Sequence, residues 1–210
     1  MKLTTERIID AGMAVFAESG YHGLSMRKVA QRLDAQAGSL YYHVANKEVL
    51  VRLMADRVAR QAYDAGSAAL AGLGPGASWQ ERVEAQLVAL REVIRRHPGG
   101  AVMLADSPKV LSTGALALME RLLDTLAEAG VPAAHRGVGA DTLLSHVTGF
   151  VLQEQSASPS VAIGAEEAAA LRERYPGTVA AAALGEDEAY VRSVRLVCAG
   201  LGTLLEAPAP

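Results

Sequence analysis

The sequence is poor in cysteine and in large aromatic residues. Cys198 is the only cysteine among 210 residues, so no disulfide can form within the chain, and we expect a reducing compartment. Phenylalanine occurs twice and tryptophan once, so leucine, valine, alanine and methionine must fill the core. Alanine is abundant and β-branched runs are few, a composition that favours helices over strands.

Long apolar runs are also absent. No run reaches the roughly 20 residues that a membrane-spanning helix needs. Asp10 and Glu18 interrupt the first apolar stretch, which argues against a secretory signal peptide. We therefore expect a cytoplasmic protein that does not associate with membranes.

The usual signatures of catalysis and of metal binding are missing. The five histidines show no His-Glu-x-x-His spacing, and one cysteine cannot build a zinc cluster. The glycine-rich stretch 72–76 lacks the lysine and hydroxyl residue of a phosphate-binding loop, and no nucleophile elbow is present. These absences predict a protein that is not an enzyme and that has no metal site and no cofactor.

Charge is unevenly distributed along the chain. The formal net charge is −3, which by itself does not suggest binding to nucleic acid. Residues 1–60, however, carry a net charge of +3, and the remainder carries −6. A basic N-terminal part on an acidic remainder indicates that only the N-terminal part meets phosphate.

Apolar residues recur at helical spacing along the whole chain, which predicts an all-α fold. A first helix is expected from about Thr4 until Gly20 stops it. Ser25 can cap a second helix, and Asn46 can cap a long fourth helix.

Breaks divide the rest of the chain. A glycine-rich linker at 72–78 precedes Ser78 and Glu81, which form the sequence pattern of a capping box. A loop is expected at 156–160 and a further break at 175–177. We expect a small N-terminal domain at 1–47, which carries the basic charge, and a larger helical-bundle domain at 48–210.

Residues 25–42 predict two short helices joined by a turn at Asp34, the arrangement of a helix-turn-helix. In the second of these helices Leu40 and Val44 share one face with Gln36, which is expected to point inward. The opposite face, expected to meet DNA, carries Ala37, Gly38, Tyr41 and Tyr42. The two small residues let the backbone approach the groove, and the tyrosines, with His43, offer polar tips to phosphates and bases.

Three cations near helix starts support this interpretation. Lys47 lies in the first turn of the fourth helix, where a cation opposes the helix dipole unless a phosphate occupies that end. Arg27 and Lys28 lie in the first turn of the second helix. Arg27 is the best candidate for a guanine contact, because its guanidinium fits the O6 and N7 acceptors.

The stretch from Leu40 to Glu48, with the preceding helix, resembles the DNA-binding domain of the TetR family of transcriptional regulators over about residues 4–53. Two positions depart from the family: Asp34 stands where glycine is usual, and Val44 stands where a larger aromatic residue is common. Aspartate tolerates a left-handed backbone, so the turn should survive. The resemblance implies that these residues contact double-stranded DNA: Arg27, Ala37, Gly38, Ser39, Tyr41, Tyr42, His43 and Lys47. Lys28 joins them as a phosphate contact because of its place in the first turn of the second helix.

Two later segments, 97–108 and 146–155, look similar to the C-terminal domain of the tetracycline-repressor type. This implies a homodimer in which helices near 143–155 and 190–205 form a four-helix interface, with Gly200 and Gly202 permitting close approach. It also implies an effector pocket in the C-terminal domain. The candidate lining residues are Tyr63, Trp79, Met103, Asp106, His146, Phe150, Gln153 and Glu154.

The magnesium–tetracycline chemistry of those repressors is not expected. Residues 102–105 contain no histidine where the tetracycline repressors have one, and Gln153 stands in place of an acidic partner. We expect a mostly apolar organic effector instead.

These observations predict a dimeric repressor that binds a near-palindromic operator and is released by a small organic effector. Two alternatives stay open: a helical protein–protein adaptor, and a regulator, such as an activator, that needs no ligand. A positive patch around Arg27, Tyr41 and Lys47 would argue against the adaptor, and a cavity in the C-terminal domain would argue against the ligand-independent regulator.

Overall fold

A computed structural model describes residues 2–106, 112–156 and 163–205. Within these ranges the backbone forms helices and no strand, which confirms the all-α prediction. No helix there has the length and apolar character of a membrane span. The helices are α1 (Thr5–Gly23), α2 (Met26–Arg32), α3 (Ala37–Tyr41), α4 (Lys47–Ala71), α5 (Trp79–Arg95), α6 (Gly100–Asp106), α7 (Thr113–Glu128), α8 (Ala133–Ser156), α9 (Ala165–Arg174), α10 (Pro176–Ala182) and α11 (Glu186–Gly202).

Helices α1 to α3 pack together in a small N-terminal unit, here called the head (residues 4–46). Thr4 caps α1, and Gly20, at φ 64°, interrupts the regular helix as predicted, although one short turn follows it. Ser25 caps α2 through its hydroxyl. Asp34, at φ 50°, makes the left-handed turn into α3, so the aspartate does replace the expected glycine.

Helix α4 connects the head to a larger helical unit, the body (residues 72–205). Asn46 caps α4, its Oδ1 accepting a hydrogen bond from the Val49 amide at 2.8 Å. Leu50, Met54 and Val58 form the predicted buried face. Because α4 packs against α1 as well as against α5 and α7, a shift of this helix changes both units.

Helix α5 lies at the centre of the body and packs against α4, α6, α7, α8 and α11. The predicted capping box is present: Ser78 Oγ accepts from the Glu81 amide, and the Glu81 carboxylate accepts from the Ser78 amide at 2.7 Å. The predicted apolar face is buried and consists of Val83, Leu87, Leu90 and Ile94.

The turn between α5 and α6 is the second contact of body and head. Gly99, at φ 71°, lies against Phe16 of α1 so closely that a Cβ at Gly99 would be 2.5 Å from the ring. Gln155 of α8 holds this turn: its Oε1 accepts from the Ala101 amide at 3.2 Å. Its Nε2 donates to the carbonyls of Ile94, at 3.1 Å, and His97, at 2.9 Å.

Helices α9 and α10 are the most exposed part of the body. No residue of α9 is buried. The predicted break at 175–177 separates these two helices: Tyr175 lies between them, and Pro176 and Gly177 begin α10. Of the loop predicted at 156–160, Ser156 ends α8 and residues 157–160 lie outside the described residues.

Candidate nucleic-acid interface and ligand cavity

Helix α3 has one sealed face and one exposed face. Leu40 and Val44 are fully buried against the head, as predicted. Tyr41 is 51% exposed and Tyr42 is 93% exposed, so both rings project from the protein. Large aromatic side chains this exposed are unusual on a protein surface and mark an interaction site.

The start of α3 differs in part from the prediction. Gly38 is exposed, with no atom within 4 Å of a Cβ built there, and Ser39 and His43 are exposed as well, whereas Ala37 is half-buried. The expectation that Gln36 points inward is wrong, because its side chain is exposed. Gln36 is the N-cap residue with an extended backbone at ψ 137°, so the helical periodicity used to place it does not apply there.

The first turn of α2 carries two exposed cations. Arg27 has no hydrogen bond or ion pair from its side chain within the described ranges, so its guanidinium is available to an anionic partner. Lys28 is exposed beside it, and only its backbone amide is engaged, by Ser25. The neighbouring Arg32 is neutralised by Glu18 at 2.7 Å.

Lys47 has an intramolecular partner. Its Nζ donates to the carbonyl of Tyr21 at 2.7 Å and lies 4.1 Å from the centroid of the Tyr21 ring. The end of α1 therefore stabilises the charge that opposes the α4 dipole. An ammonium has three donors, so a phosphate contact by Lys47 remains a prediction.

The body contains an apolar cavity of about 270 Å³ between α4, α5, α6, α7 and α8. Its single polar side chain among the described residues is Thr148, whose hydroxyl donates to the carbonyl of Leu144. The described lining residues are Ala59, Leu90, Leu104, Ala115, Leu116, Leu118, Met119, Leu144 and Thr148. These described residues include no carboxylate or histidine, and the expectation of a mostly apolar effector stays a prediction.

None of the eight effector candidates taken from the sequence lines this cavity. Met103 is buried in the core, and Asp106 and Gln153 are exposed. Trp79 lies beside Gly202, and Tyr63 stacks with Arg121. The sequence offers no feature that would have identified the lining of this cavity, which consists of ordinary helix residues, nearly all apolar.

The other three candidates, His146, Phe150 and Glu154, belong to one buried cluster around Arg91 and Tyr190. The Arg91 guanidinium forms an ion pair with Glu154 and lies 4.8 Å from the centroid of the Tyr190 ring. Phe150 and His146 pack on the same ring at 5.0 and 6.1 Å. Burial lowers the pKa of His146 and raises that of Tyr190, so both stay neutral near pH 7.

This cluster joins α5, α8 and α11. The Tyr190 hydroxyl donates to the Leu87 carbonyl at 2.8 Å, and His146 is hydrogen-bonded to Ser193 at 2.6 Å. Its polar groups are thus engaged with one another. Within the described residues no group of three or more His, Cys, Asp or Glu side chains could hold a metal ion.

A polar contact joins α4 to the start of α7. Asp56 accepts hydrogen bonds from the Ser112 hydroxyl at 2.9 Å and from the Gly114 amide at 2.8 Å. Arg60 donates to both Asp56 and Thr113 at 2.6 Å. Burial alone would raise the pKa of Asp56, but these hydrogen bonds outweigh it and hold the pKa below its ordinary value.

Two protein-family models match the chain. Residues 8–54 match the model for bacterial regulatory proteins of the tetR family. Residues 73–205 match the model for the tetracyclin repressor-like C-terminal domain, which alone covers more than half of the chain.

Individual relatives agree with the family models. An HTH-type transcriptional regulator of Saccharopolyspora erythraea is 33% identical over 152 residues, covering 72% of this chain and 61% of the relative. The tetracycline repressor protein class D of Escherichia coli is 32% identical over 158 residues, covering 73% and 67%. The crystal structure of ActR, a TetR family protein of Streptomyces coelicolor, in complex with (S)-DNPA has a TM-score of 0.78 at 26% identity, covering 97% of this chain and 98% of ActR.

Proposed function

The chain belongs to the TetR family of transcriptional regulators, and we propose that it is a dimeric, sequence-specific DNA-binding repressor released from its operator by a small organic effector. The observation that carries this proposal is the two-sided character of α3: its Leu40 side is buried, and the opposite side exposes the rings of Tyr41 and Tyr42. A helix of this kind enters the major groove of DNA. We further propose a cytoplasmic location, where the chromosome is, and no catalytic role.

We assign the DNA contacts to residues 1–47, which include the head, and the effector and dimer functions to residues 48–210. Arg27 contacts a guanine, and the small residues at 37 and 38 allow the close approach of backbone to the groove floor. The remaining contacts, mostly to phosphates, come from Lys28, Ser39, Tyr41, Tyr42, His43 and Lys47.

The dimer is proposed to form through α8 and α11. Val138 on α8 and Leu196 on α11 are apolar yet 70% and 73% exposed. Gly200 is open for close approach, and at Gly202 an added Cβ would meet only the Trp79 ring, at 3.9 Å. The role of both glycines in close approach stays a prediction. Such a dimer would hold two heads about 34–36 Å apart, the spacing of successive major grooves.

We propose the apolar cavity as the effector site. The tetracycline repressors among its relatives are named for a small organic molecule, and ActR was solved with (S)-DNPA. Ala59 of α4 and Leu104 of α6 line the cavity, and both helices belong to the two connections between body and head. An effector that fits the cavity better in another head arrangement would shift the population away from the DNA-binding form.

Selection from a random pool of duplex DNA tests the proposal without knowledge of the operator. We expect the purified protein to enrich a near-palindromic sequence and to bind it less tightly as the salt concentration rises. Tyr42→Ala should weaken this binding, whereas Tyr175→Ala, at an exposed tyrosine between α9 and α10, should not. Enrichment of no sequence by the wild-type protein would contradict the proposal.

The role of Arg27 is tested on the selected sequence. Arg27→Ala should cost about 1–3 kcal/mol of binding free energy and relax the preference at one position of each half-site. Arg172→Ala, an exposed arginine of α9, removes the same charge from the body and serves as control. An unchanged preference in Arg27→Ala would refute the guanine contact.

A further inference from the structure

Arg121 is a half-buried arginine on α7 that is held by neutral groups. Its Nε donates to Gln86 Oε1 at 2.9 Å. Its NH1 donates to the Tyr63 carbonyl at 2.6 Å and to Ser67 Oγ at 2.8 Å. The guanidinium also stacks on the Tyr63 ring, 4.3 Å from the centroid. Two of its three nitrogens are therefore fixed to α4 and α5.

The third nitrogen, NH2, is buried and has no hydrogen-bond partner. It lies against Gly66, where an added Cβ would be 2.3 Å away. No carboxylate of the described residues forms an ion pair with Arg121. Burial lowers the pKa of Arg121 below its ordinary value. A buried charge is normally paired, and a buried donor without an acceptor is costly.

Arg121 does not itself line the cavity, but it is one helical turn from a residue that does, and so are Tyr63 and Gln86, which hold its guanidinium. On α4, Tyr63 follows the lining residue Ala59 by one helical turn, and on α7 Arg121 itself follows Leu118 by one turn. On α5, which runs the other way, Gln86 precedes the lining residue Leu90 by one turn. The same three helices thus bring an apolar cavity and an incompletely satisfied cation together.

We propose that the effector is a small organic acid, with an apolar part that fills the cavity and a carboxylate that pairs with Arg121. The inference rests on the proposed function, in which the cavity is the effector site. A cavity of about 150 Å³ holds benzene, so about 270 Å³ suits an acid built on one or two rings. A carboxylate would give NH2 its missing partner through a charge-assisted hydrogen bond.

The pairing also connects the ligand to the head. To meet a carboxylate in the cavity, the guanidinium must turn away from Gly66 and exchange its bonds to Tyr63 and Ser67 of α4. An acid therefore loosens α4 from α7, and α4 leads directly into the head. A neutral ligand of the same shape fills the cavity without this exchange. It therefore binds the two arrangements of the head with similar free energy and does not shift the balance between them.

Two probes of matched shape test the inference: 1-naphthylacetate, which is charged, and 1-naphthylacetamide, which is not. Calorimetry with the full-length protein should give about tenfold or tighter binding for the acid, the effect of a hydrogen bond to a charged group. Arg121→Met should bring the two affinities to within about twofold of each other, and Arg121→Lys should keep part of the preference. Arg60→Met, at an α4 arginine that is bonded to Asp56 and Thr113 and does not line the cavity, should keep all of the preference.

Replacement of a buried charge by a similar-sized apolar side chain is usually tolerated, so Arg121→Met should fold. Equal binding of both probes to the wild type, or an acid preference that survives Arg121→Met, would overturn the inference while leaving the repressor proposal intact. Binding of neither probe would overturn it together with the cavity as effector site. Failure of DNA selection alone would count against the repressor and not against the acid.

Discussion

Two glycines with nearly the same left-handed backbone, Gly20 at φ 64° and Gly99 at φ 71°, lie in different surroundings. A Cβ at Gly20 would meet no atom within 4 Å, whereas a Cβ at Gly99 would meet the Phe16 ring at 2.5 Å. Gly20→Ala should therefore cost only the backbone strain, about 1–2 kcal/mol of unfolding free energy. Gly99→Ala adds overpacking against Phe16, about 1–3 kcal/mol more.

Urea unfolding of the two variants measures that difference. Since the strain is common to both, the excess loss in Gly99→Ala reports the contact between body and head. Equal losses of unfolding free energy in the two variants would mean that Phe16 moves aside at no measurable cost when a methyl group is added at residue 99.

Asp56 should make the unfolding free energy of the protein depend on pH. Its pKa is lowered in the folded protein, so the stabilisation it provides is present above the unfolded value of about 4 and is lost as pH falls through the lower folded value. Asp56→Asn should lower the unfolding free energy at pH 7, and the difference from wild type should narrow below about pH 4. Unfolding curves at pH 7 and pH 3 check this, with Asp124→Asn on exposed α7 surface as the control for net charge.

A difference between Asp56→Asn and wild type that stayed constant over this range would assign the effect to packing and not to the carboxylate charge.

Among the helices, the α5–α6 turn depends on one side chain of α8. Gln155 accepts from the Ala101 amide and donates to the carbonyls of Ile94 and His97, each of which also accepts a backbone amide. Gln155→Ala should therefore leave the buried Ala101 amide without a partner and cost about 1–3 kcal/mol. Gln153→Ala, an exposed neighbour on the same helix, should stay within about 0.5 kcal/mol of wild type. Chemical denaturation measures the unfolding free energy of both variants. Small losses of similar size would mean that water takes over the hydrogen bonds of Gln155.

Helix boundaries were predictable because their causes are local. Ser25, Asn46 and the pair Ser78–Glu81 cap helices through contacts three residues apart, which a sequence displays directly. The inward position predicted for Gln36 is wrong because an N-cap residue has a non-helical backbone and does not follow the helical periodicity. The partner of Lys47, the Tyr21 carbonyl, lies 26 residues away in sequence, so only the tertiary fold could reveal it.

At the scale of the whole molecule, the cavity shows why the candidate site was only half predictable. The residues predicted to face DNA all lie between 27 and 47 and form a recognisable sequence pattern. The cavity forms where five helices leave a gap, and its lining residues, such as Ala59 and Leu144, resemble any other core residues in sequence. The conspicuous side chains instead contact their neighbours in the core: Glu154 pairs with Arg91, and the rings of His146 and Phe150 pack together.

Dimerisation determines whether two heads can reach one operator. Leu196 on α11 is 73% exposed, so the described part of the chain leaves most of this large apolar side chain uncovered. Leu196→Glu should therefore give particles of the 21.9 kDa chain mass in light scattering, where the wild type gives twice that mass. Leu171→Glu, on exposed α9, introduces the same charge at another leucine and should leave the dimer intact.

The monomer should also lose most of its operator affinity while keeping the affinity of one head for a half-site, because linking two heads converts the second contact into an intramolecular one. Titration of full and half operators with both variants separates the two effects. If Leu196→Glu remained a dimer with full operator affinity, the subunits would have to meet through a face other than α8 and α11.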